Sequence, residues 1–429
     1  MKHTIIQHTT SNGISLVVVP LPATAAVTAI VLMEVGSRYE SDHQRGLAHF
    51  AEHMVFKGGR KFLTAQQIAQ TLDAVGGEFN AFTAQEFTGF YTKTAGNHLE
   101  LGLDVLSDMV LHATFPEEEL TKEKGVIVEE INMYEDMPMR KVDQVLADLV
   151  YGDSPLGRPI TGTKESVTAF TAEDFRDYRK QFYMGSKCTV IIAGAVEFDQ
   201  AKEMVERFFA ELPQGEGYEP EVAEYQATEK RVRLEHKASE QTHLMLVTKG
   251  YPIAHPKKYP YRLLATILGG NMSSRLFTSV REQQGLCYYV RAMPDSYRET
   301  GMLVASAGVD NARLPQAVAA IMVELRKIRE ELVTPEELDR AQQFLLGKML
   351  LSLEDSEQVA EFYGMQSLLE KGIEDTESIE KKILAVTAEE IREVAQELLQ
   401  EQWLRLAVIG PQEDADGLSQ LLTLEHINQ

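Results

Sequence analysis

Two short runs of apolar and β-branched residues, Ile14 to Val19 and Val27 to Val35, predict strands near the start of the chain. The period then lengthens to that of a helix over Gly46 to Phe56 and again over Thr64 to Val75. Strand patterns return at Glu78 to Thr83 and Thr88 to Lys93. Long helices follow at His98 to Leu111 and Pro116 to Tyr134. A helix over Thr171 to Gln181, a strand over Cys188 to Ala193 and a helix running to Leu212 close this half. The next stretch contains Gln214-Gly215-Glu216-Gly217-Tyr218-Glu219-Pro220 and has no apolar period, so it reads as a linker.

Beyond the linker the first pattern returns. Phe115-Pro116-Glu117-Glu118-Glu119-Leu120 is matched by Thr334-Pro335-Glu336-Glu337-Leu338. Thr171-Ala172-Glu173-Asp174-Phe175 is matched by Thr387-Ala388-Glu389-Glu390-Ile391, and Val190 to Gly194 by Leu406 to Gly410. The three matches are collinear, at offsets of 216 to 219 residues. Collinearity at nearly one offset argues for duplication of a domain of half the chain. The expected division is 1–213, a linker at 214–227, and a second domain at 228–429.

Composition narrows the function classes. A length of 429 residues suits two domains, and 44% hydrophobic with 25% charged residues is ordinary globular composition. The formal net charge of −23 repels phosphate backbones and anionic lipid, so no nucleic-acid or membrane partner is expected. Cys188 and Cys287 are too few for a disulfide scaffold, and the N-terminus shows no signal core. The longest apolar stretch, Ala25 to Met33, is too short to span a bilayer. A cytoplasmic location is the expectation.

The chemistry sits in His49-Phe50-Ala51-Glu52-His53. At about 100° per residue on a helix, both imidazoles and the carboxylate fall in one sector. Two neutral imidazoles one turn apart grip a Zn²⁺, and the acid beside them is placed to take a proton from bound water. The order is that of the inverted zinc motif H-x-x-E-H. With 11 His and 65 acidic residues, chance yields on the order of 0.04 such matches per chain, so two unrelated surface histidines are the weaker reading. Leu47, Phe50 and Met54 supply a buried stripe, and Gly46 and Gly58-Gly59 punctuate the helix ends. A third ligand is needed, and the acidic helix Pro116 to Tyr134 is its source. Glu119, Glu123 and Glu130 share one face there. Glu123 and Glu130 are about 10 Å apart along the axis, so one ligates and the other stands outside, and periodicity does not say which.

His49-x-x-Glu52-His53, followed after 76 residues by Glu130 within Gly125-Val126-Ile127-Val128-Glu129-Glu130-Ile131, resembles the pitrilysin family. That family includes insulin-degrading enzyme and the mitochondrial processing peptidase. The resemblance implies that Glu130 is the third zinc ligand, Glu52 the base and Glu123 the outer supporting carboxylate. Gly76 to Thr83 is similar to the family strand whose backbone pairs with substrate, which makes Asn80, Ala81 and Phe82 substrate-binding residues by β-augmentation. Arg281 and Tyr288 resemble the family's Arg–Tyr pair that helps bind substrate and its tetrahedral intermediate. At the repeat offset the second half has Ala265 and Gly269 near the histidine positions, so one zinc per chain is expected.

The fold this implies is α+β: two homologous domains, each a mainly antiparallel sheet with helices packed on one face. The activity it implies is zinc-dependent endopeptidase action on extended, unfolded peptides. Two such domains, rather than four, resemble the small bacterial type that closes a chamber by dimerising, with an identical chain or a paralogue. The rivals are a non-catalytic assembly or scaffold subunit of the same family, and a metal-binding protein without hydrolysis, which leaves the acid at Glu52 unexplained.

Overall fold

The computed structural model describes residues 3–226, 230–370 and 372–425. Residues 227 and 228, where the expected linker ends and the expected second domain begins, lie outside the described residues, as do both chain ends. The first sheet has six strands: β1 (Ile6–Thr9), β2 (Ser15–Pro20), β3 (Ala26–Met33), β4 (Glu78–Thr83), β5 (Thr88–Ala95) and β6 (Cys188–Gly194). Their order is β1-β2-β6-β3-β5-β4. Every pair is antiparallel except β2 with β6. The second sheet has β7 (Val232–His236), β8 (Gln241–Lys249), β9 (Cys287–Ser296), β10 (Gly301–Asp310) and β11 (Arg405–Gly410), in the order β7-β11-β8-β10-β9. Its single parallel pair is β7 with β11.

Setting β1 aside, the two orders correspond strand for strand, and the parallel pair falls at the same place. That is the duplication the sequence offsets announced. The repeat extends to the caps: the Asp174 carboxylate accepts the Thr171 backbone N–H at 2.7 Å, and Glu390 accepts that of Thr387 at 2.9 Å. Both contacts satisfy a donor that a helix start leaves unpaired.

The compact units do not follow the halves of the sequence strictly. One comprises Met1–Ile131, Arg158–Glu221 and Met349–Glu377; the other comprises Asn132–Gly157, Val222–Lys348 and Ser378–Gln429. Each unit therefore takes in one helical segment from the opposite half. In the first unit, Leu16, Val18, Val27, Ala29, Val31, Val190 and Ile192 face the main core with Phe50, Met54, Leu103 and Leu106. The alternate residues Val17, Ile30, Leu32 and Ile191 are equally buried. They are covered by helix Ser356–Met365, where a Cβ on Gly364 would come within 2.7 Å of Ile191 Cδ1. Ser356 Oγ lies 2.8 Å from Thr28 Oγ1, and Lys93 pairs with Asp355 at 2.7 Å. In the second unit, helix Pro138–Tyr151 places Val142, Val145 and Leu146 on Met245, Val247, Ala407 and Ile409. The expectation of helices on one face only is corrected here. β3 and β6 are buried on both sides, which is why AVTAIVLM and CTVIIAG run apolar without alternation.

Cys188 and Cys287 are free. Among the described residues no helix is long and apolar enough to cross a membrane.

Candidate metal centre

Helix Leu47–Val55 carries the motif. Leu47, Phe50 and Met54 are fully buried and set the rotation of the helix. Its start is tightly specified. Gly46 has φ +91°, and a Cβ there would meet the Thr161 carbonyl oxygen at 2.6 Å, so the position demands glycine. The backbone N–H groups of Gly46 and Ala48 donate to the Glu40 carboxylate at 2.8 and 2.6 Å. Burial pushes that carboxyl up to about 8, against the pull of the same donors. Glu40 thus caps the motif helix from a preceding loop.

Helix Glu117–Asp136 supplies the third group. Glu130 Oε2 lies 3.6 Å from Nε2 of His49 and 3.6 Å from Nε2 of His53. One ligand atom from each of the three residues lies within 4.8 Å of the others. Donors on a tetrahedral Zn²⁺ with bonds of about 2.0–2.1 Å stand about 3.3 Å apart, and the two 3.6 Å separations from Glu130 Oε2 to the imidazoles are close to that. The donor types fit as well, since two imidazoles and one carboxylate leave a fourth position open. Burial, with His53 as the second cause, holds His49 down to about 4, so its imidazole is neutral and able to ligate.

The two carboxylates have different neighbours: Glu130 faces both Nε2 atoms, and Glu123 the far side of one ring. Glu123 Oε1 lies 2.9 Å from His53 Nδ1, and Glu123 Oε2 pairs with Lys57 Nζ at 2.6 Å. This fixes the His53 proton on Nδ1 and leaves Nε2 for a metal. Burial works to lower the His53 pKa, but the Glu123 hydrogen bond and the charges of Glu52, Glu123 and Glu130 raise it. Burial likewise opposes ionisation of Glu123, and His53 and Lys57 overcome it to hold its pKa below the ordinary value. Glu119 stands apart in a surface pair with Lys122. Glu52 Oε2 accepts a hydrogen bond from Thr83 Oγ1 at 2.6 Å. Its pKa is raised by burial, with Thr83 and His53 pulling it down and Glu130 pushing it up.

β4 forms an edge of its sheet and pairs with β5 alone. Phe79 contacts Phe56 at the end of the motif helix, Ala81 is in the core, and Thr83 reaches Glu52. By alternation, the side chains of Asn80 and Phe82 point to the opposite face, where Phe82 covers Gly89. Arg281 and Tyr288 lie in the other unit. There the Arg281 guanidinium stands 5.8 Å from the Tyr288 ring centre, and Tyr288 is 75% exposed.

Sequence reasoning missed Glu40, Lys57 and Thr83. Lys57 was findable, because it follows His53 by one helical turn on the same side. Glu40 and Thr83 reach the motif only through the fold.

Two domain descriptions match this chain: "Insulinase (Peptidase family M16)" over residues 16–164 and "Peptidase M16 inactive domain" over residues 169–345. A Bacillus subtilis protein, "Uncharacterized zinc protease YmxG", is 36% identical over 407 residues, covering 95% of this chain and 98% of the relative. The chain belongs to peptidase family M16. A Streptomyces coelicolor M16 relative, also named as a zinc protease, is 33% identical, covering 96% of this chain and 90% of its own. The M16 fold is shared with a protease from Helicobacter pylori, with a TM-score of 0.87 at 21% identity, covering 96% of this chain and 100% of that one. All four motif residues, His49, Glu52, His53 and Glu130, fall inside the stretch matched to the first M16 domain.

Proposed function

We propose that this M16 chain is a zinc-dependent endopeptidase that hydrolyses extended peptides, with one zinc held by His49, His53 and Glu130. The observation that carries the reading is the convergence of both imidazole Nε2 atoms on Glu130 Oε2 at 3.6 Å, with the Glu52 carboxylate beside them. When bound, zinc would lower the pKa of its water toward about 7 and polarise a peptide carbonyl. Glu52 takes the proton of the attacking water and returns it to the leaving amine. Glu123 keeps the His53 ring in place through Nδ1. The free side of β4 offers main-chain hydrogen bonds to an extended peptide whatever its side chains are. We further propose that the active form is a homodimer in which Arg281 and Tyr288 serve substrate at the partner's zinc, Tyr288 donating to the developing oxyanion.

The second reading, a non-catalytic subunit, is favoured by one observation: residues 169–345 match a domain described as inactive. That stretch lies outside the motif, and His49, Glu52, His53 and Glu130 are all present in the stretch matched to the first domain. Incubation with a mixed peptide library, read by mass spectrometry with and without chelator, tests the proposal. Wild type cleaves, and Glu52→Gln retains zinc but loses activity by orders of magnitude. A wild-type protein that holds zinc and cuts nothing would overturn the proposal in favour of a non-catalytic role.

A further inference from the structure

We propose that Thr83 is a positioning residue that holds Glu52 Oε2 and so designates Oε1 as the oxygen that takes up the proton. The proposal rests on the reading of Glu52 as the base.

The Thr83 hydroxyl has one proton to give, and it goes to Glu52 Oε2 at 2.6 Å, the length of a charge-assisted O–H···O⁻ bond. Among the described residues no hydrogen bond engages Glu52 Oε1. Thr83 is β-branched, so its χ1 is stiff and the hydroxyl direction follows the backbone.

That backbone is pinned. Thr83 is the last residue of β4, and Ala84 N donates to Phe87 O at 2.8 Å to close the turn into β5. The turn is held from outside the hairpin as well. Ser37 N donates to Ala84 O at 3.2 Å and Arg38 N to Gln85 O at 2.9 Å. The Arg38 guanidinium donates to the Glu86 carboxylate at 2.5 Å, with the two side chains 1% and 4% exposed. The approach is so close that a Cβ on Gly36 would stand 2.2 Å from Ala84 O. The same short segment ends in Glu40, whose carboxylate caps the motif helix at Gly46 and Ala48. Residues 36–40 therefore hold both partners, the turn that carries Thr83 and the helix that carries Glu52.

The proton inventory follows. The attacking water forms its C–O bond and gives one proton to Glu52 Oε1. The peptide C–N bond breaks, and that proton passes from Oε1 to the leaving nitrogen. Throughout, Oε2 stays on the Thr83 hydroxyl, which keeps its own proton. Because Thr83 ends the edge strand proposed to pair with substrate, peptide docking and carboxylate orientation share one strand.

The test uses the full-length, zinc-loaded enzyme with Thr83→Val, Thr83→Ser, Glu52→Gln and the double variant Glu52→Gln/Thr83→Val. Rates are expressed per bound zinc, and folding is checked by circular dichroism. Thr83→Val, which keeps the shape and loses the hydroxyl, should lower kcat about 10- to 100-fold at unchanged KM and zinc content. Thr83→Ser should restore kcat to within a few-fold of wild type. Single-turnover rates of the double variant should equal those of Glu52→Gln, because a residue that acts through Glu52 has nothing left to position. An undiminished kcat in Thr83→Val overturns the proposal. So does a double variant slower than Glu52→Gln by the full Thr83→Val factor, or a serine variant as impaired as the valine one. A fully active Glu52→Gln removes the base assignment itself, and this inference with it.

Discussion

Replacing Glu123 by Gln separates a supporting carboxylate from a ligand. Glu123 is 6% exposed and touches two cationic or potentially cationic groups, His53 Nδ1 at 2.9 Å and Lys57 Nζ at 2.6 Å. Glutamine keeps the length of the side chain and one oxygen to accept the His53 N–H. It removes the charge, and its amide NH₂ cannot accept from the Lys57 ammonium, so that contact is lost. Glu130 Oε2 faces the Nε2 atoms of both rings at 3.6 Å, whereas Glu123 meets the far nitrogen of one ring. Groups at that remove typically cost about 10- to 100-fold in metal affinity when changed, or about 1.4–2.7 kcal/mol. Glu123→Gln should therefore bind zinc that much more weakly in competition with a chromophoric chelator, yet still load to one equivalent when zinc is in excess. Glu130→Gln and His53→Ala should fail to load under the same conditions, and Glu119→Gln should match wild type. Wild-type affinity in Glu123→Gln would refute the supporting role, and a loss as complete as that of Glu130→Gln would make Glu123 a ligand.

The cross-chain arrangement is checked by mixing Glu52→Gln with Tyr288→Phe: each homodimer is strongly impaired, and subunit exchange should restore one working site per mixed dimer. Absence of recovery, with exchange confirmed by native mass spectrometry, rules it out. Gly364→Leu forces a side chain onto Ile191 and Leu32 and should cost about 1–3 kcal/mol by overpacking. Urea unfolding followed by circular dichroism measures this, and an unchanged midpoint would mean that the helix Ser356–Met365 does not cover this sheet. Arg275 Nε and Nη2 donate to Glu337 at 2.8 and 2.9 Å, and chiefly that hydrogen bonding holds the carboxyl below its ordinary 4.5. A depressed folded-state pKa contributes stability above the unfolded value that is lost as pH falls through the folded one. Wild type should exceed Glu337→Gln by about 1–2 kcal/mol at pH 7. The gap, read from Trp403 fluorescence in urea, should close as pH drops below 4.5, and a pH-independent gap would contradict the assignment.

Much of the site was legible because its parts are local. A helix fixes the relative direction of His49, Glu52 and His53 from spacing alone, and the buried Leu47, Phe50 and Met54 orient that sector toward the core boundary. The duplication was legible because paired caps and strands keep their order along the chain. The choice among Glu119, Glu123 and Glu130 was not, since helical phase places residues on a face without saying where along the axis a second helix crosses. The facing of β4 was equally hidden: alternation is a property of the strand, but its phase relative to Glu52 depends on Phe79 packing against Phe56.

By itself, then, the sequence determined the two repeated α+β sheets, the motif helix and the chemical identity of the donors, because these follow from short-range periodicity and residue type. Only the tertiary structure decided the exchange of covering helices between the two halves. Strands buried on both faces need a second layer, and apolar pattern does not say which distant helix provides it. Only the tertiary structure, too, brought Glu40 to the start of the motif helix and Thr83 to Glu52. Those contacts join residues whose relation is set by how the loop at 36–40 and the edge strand close around the helix, and no period along the chain encodes that distance.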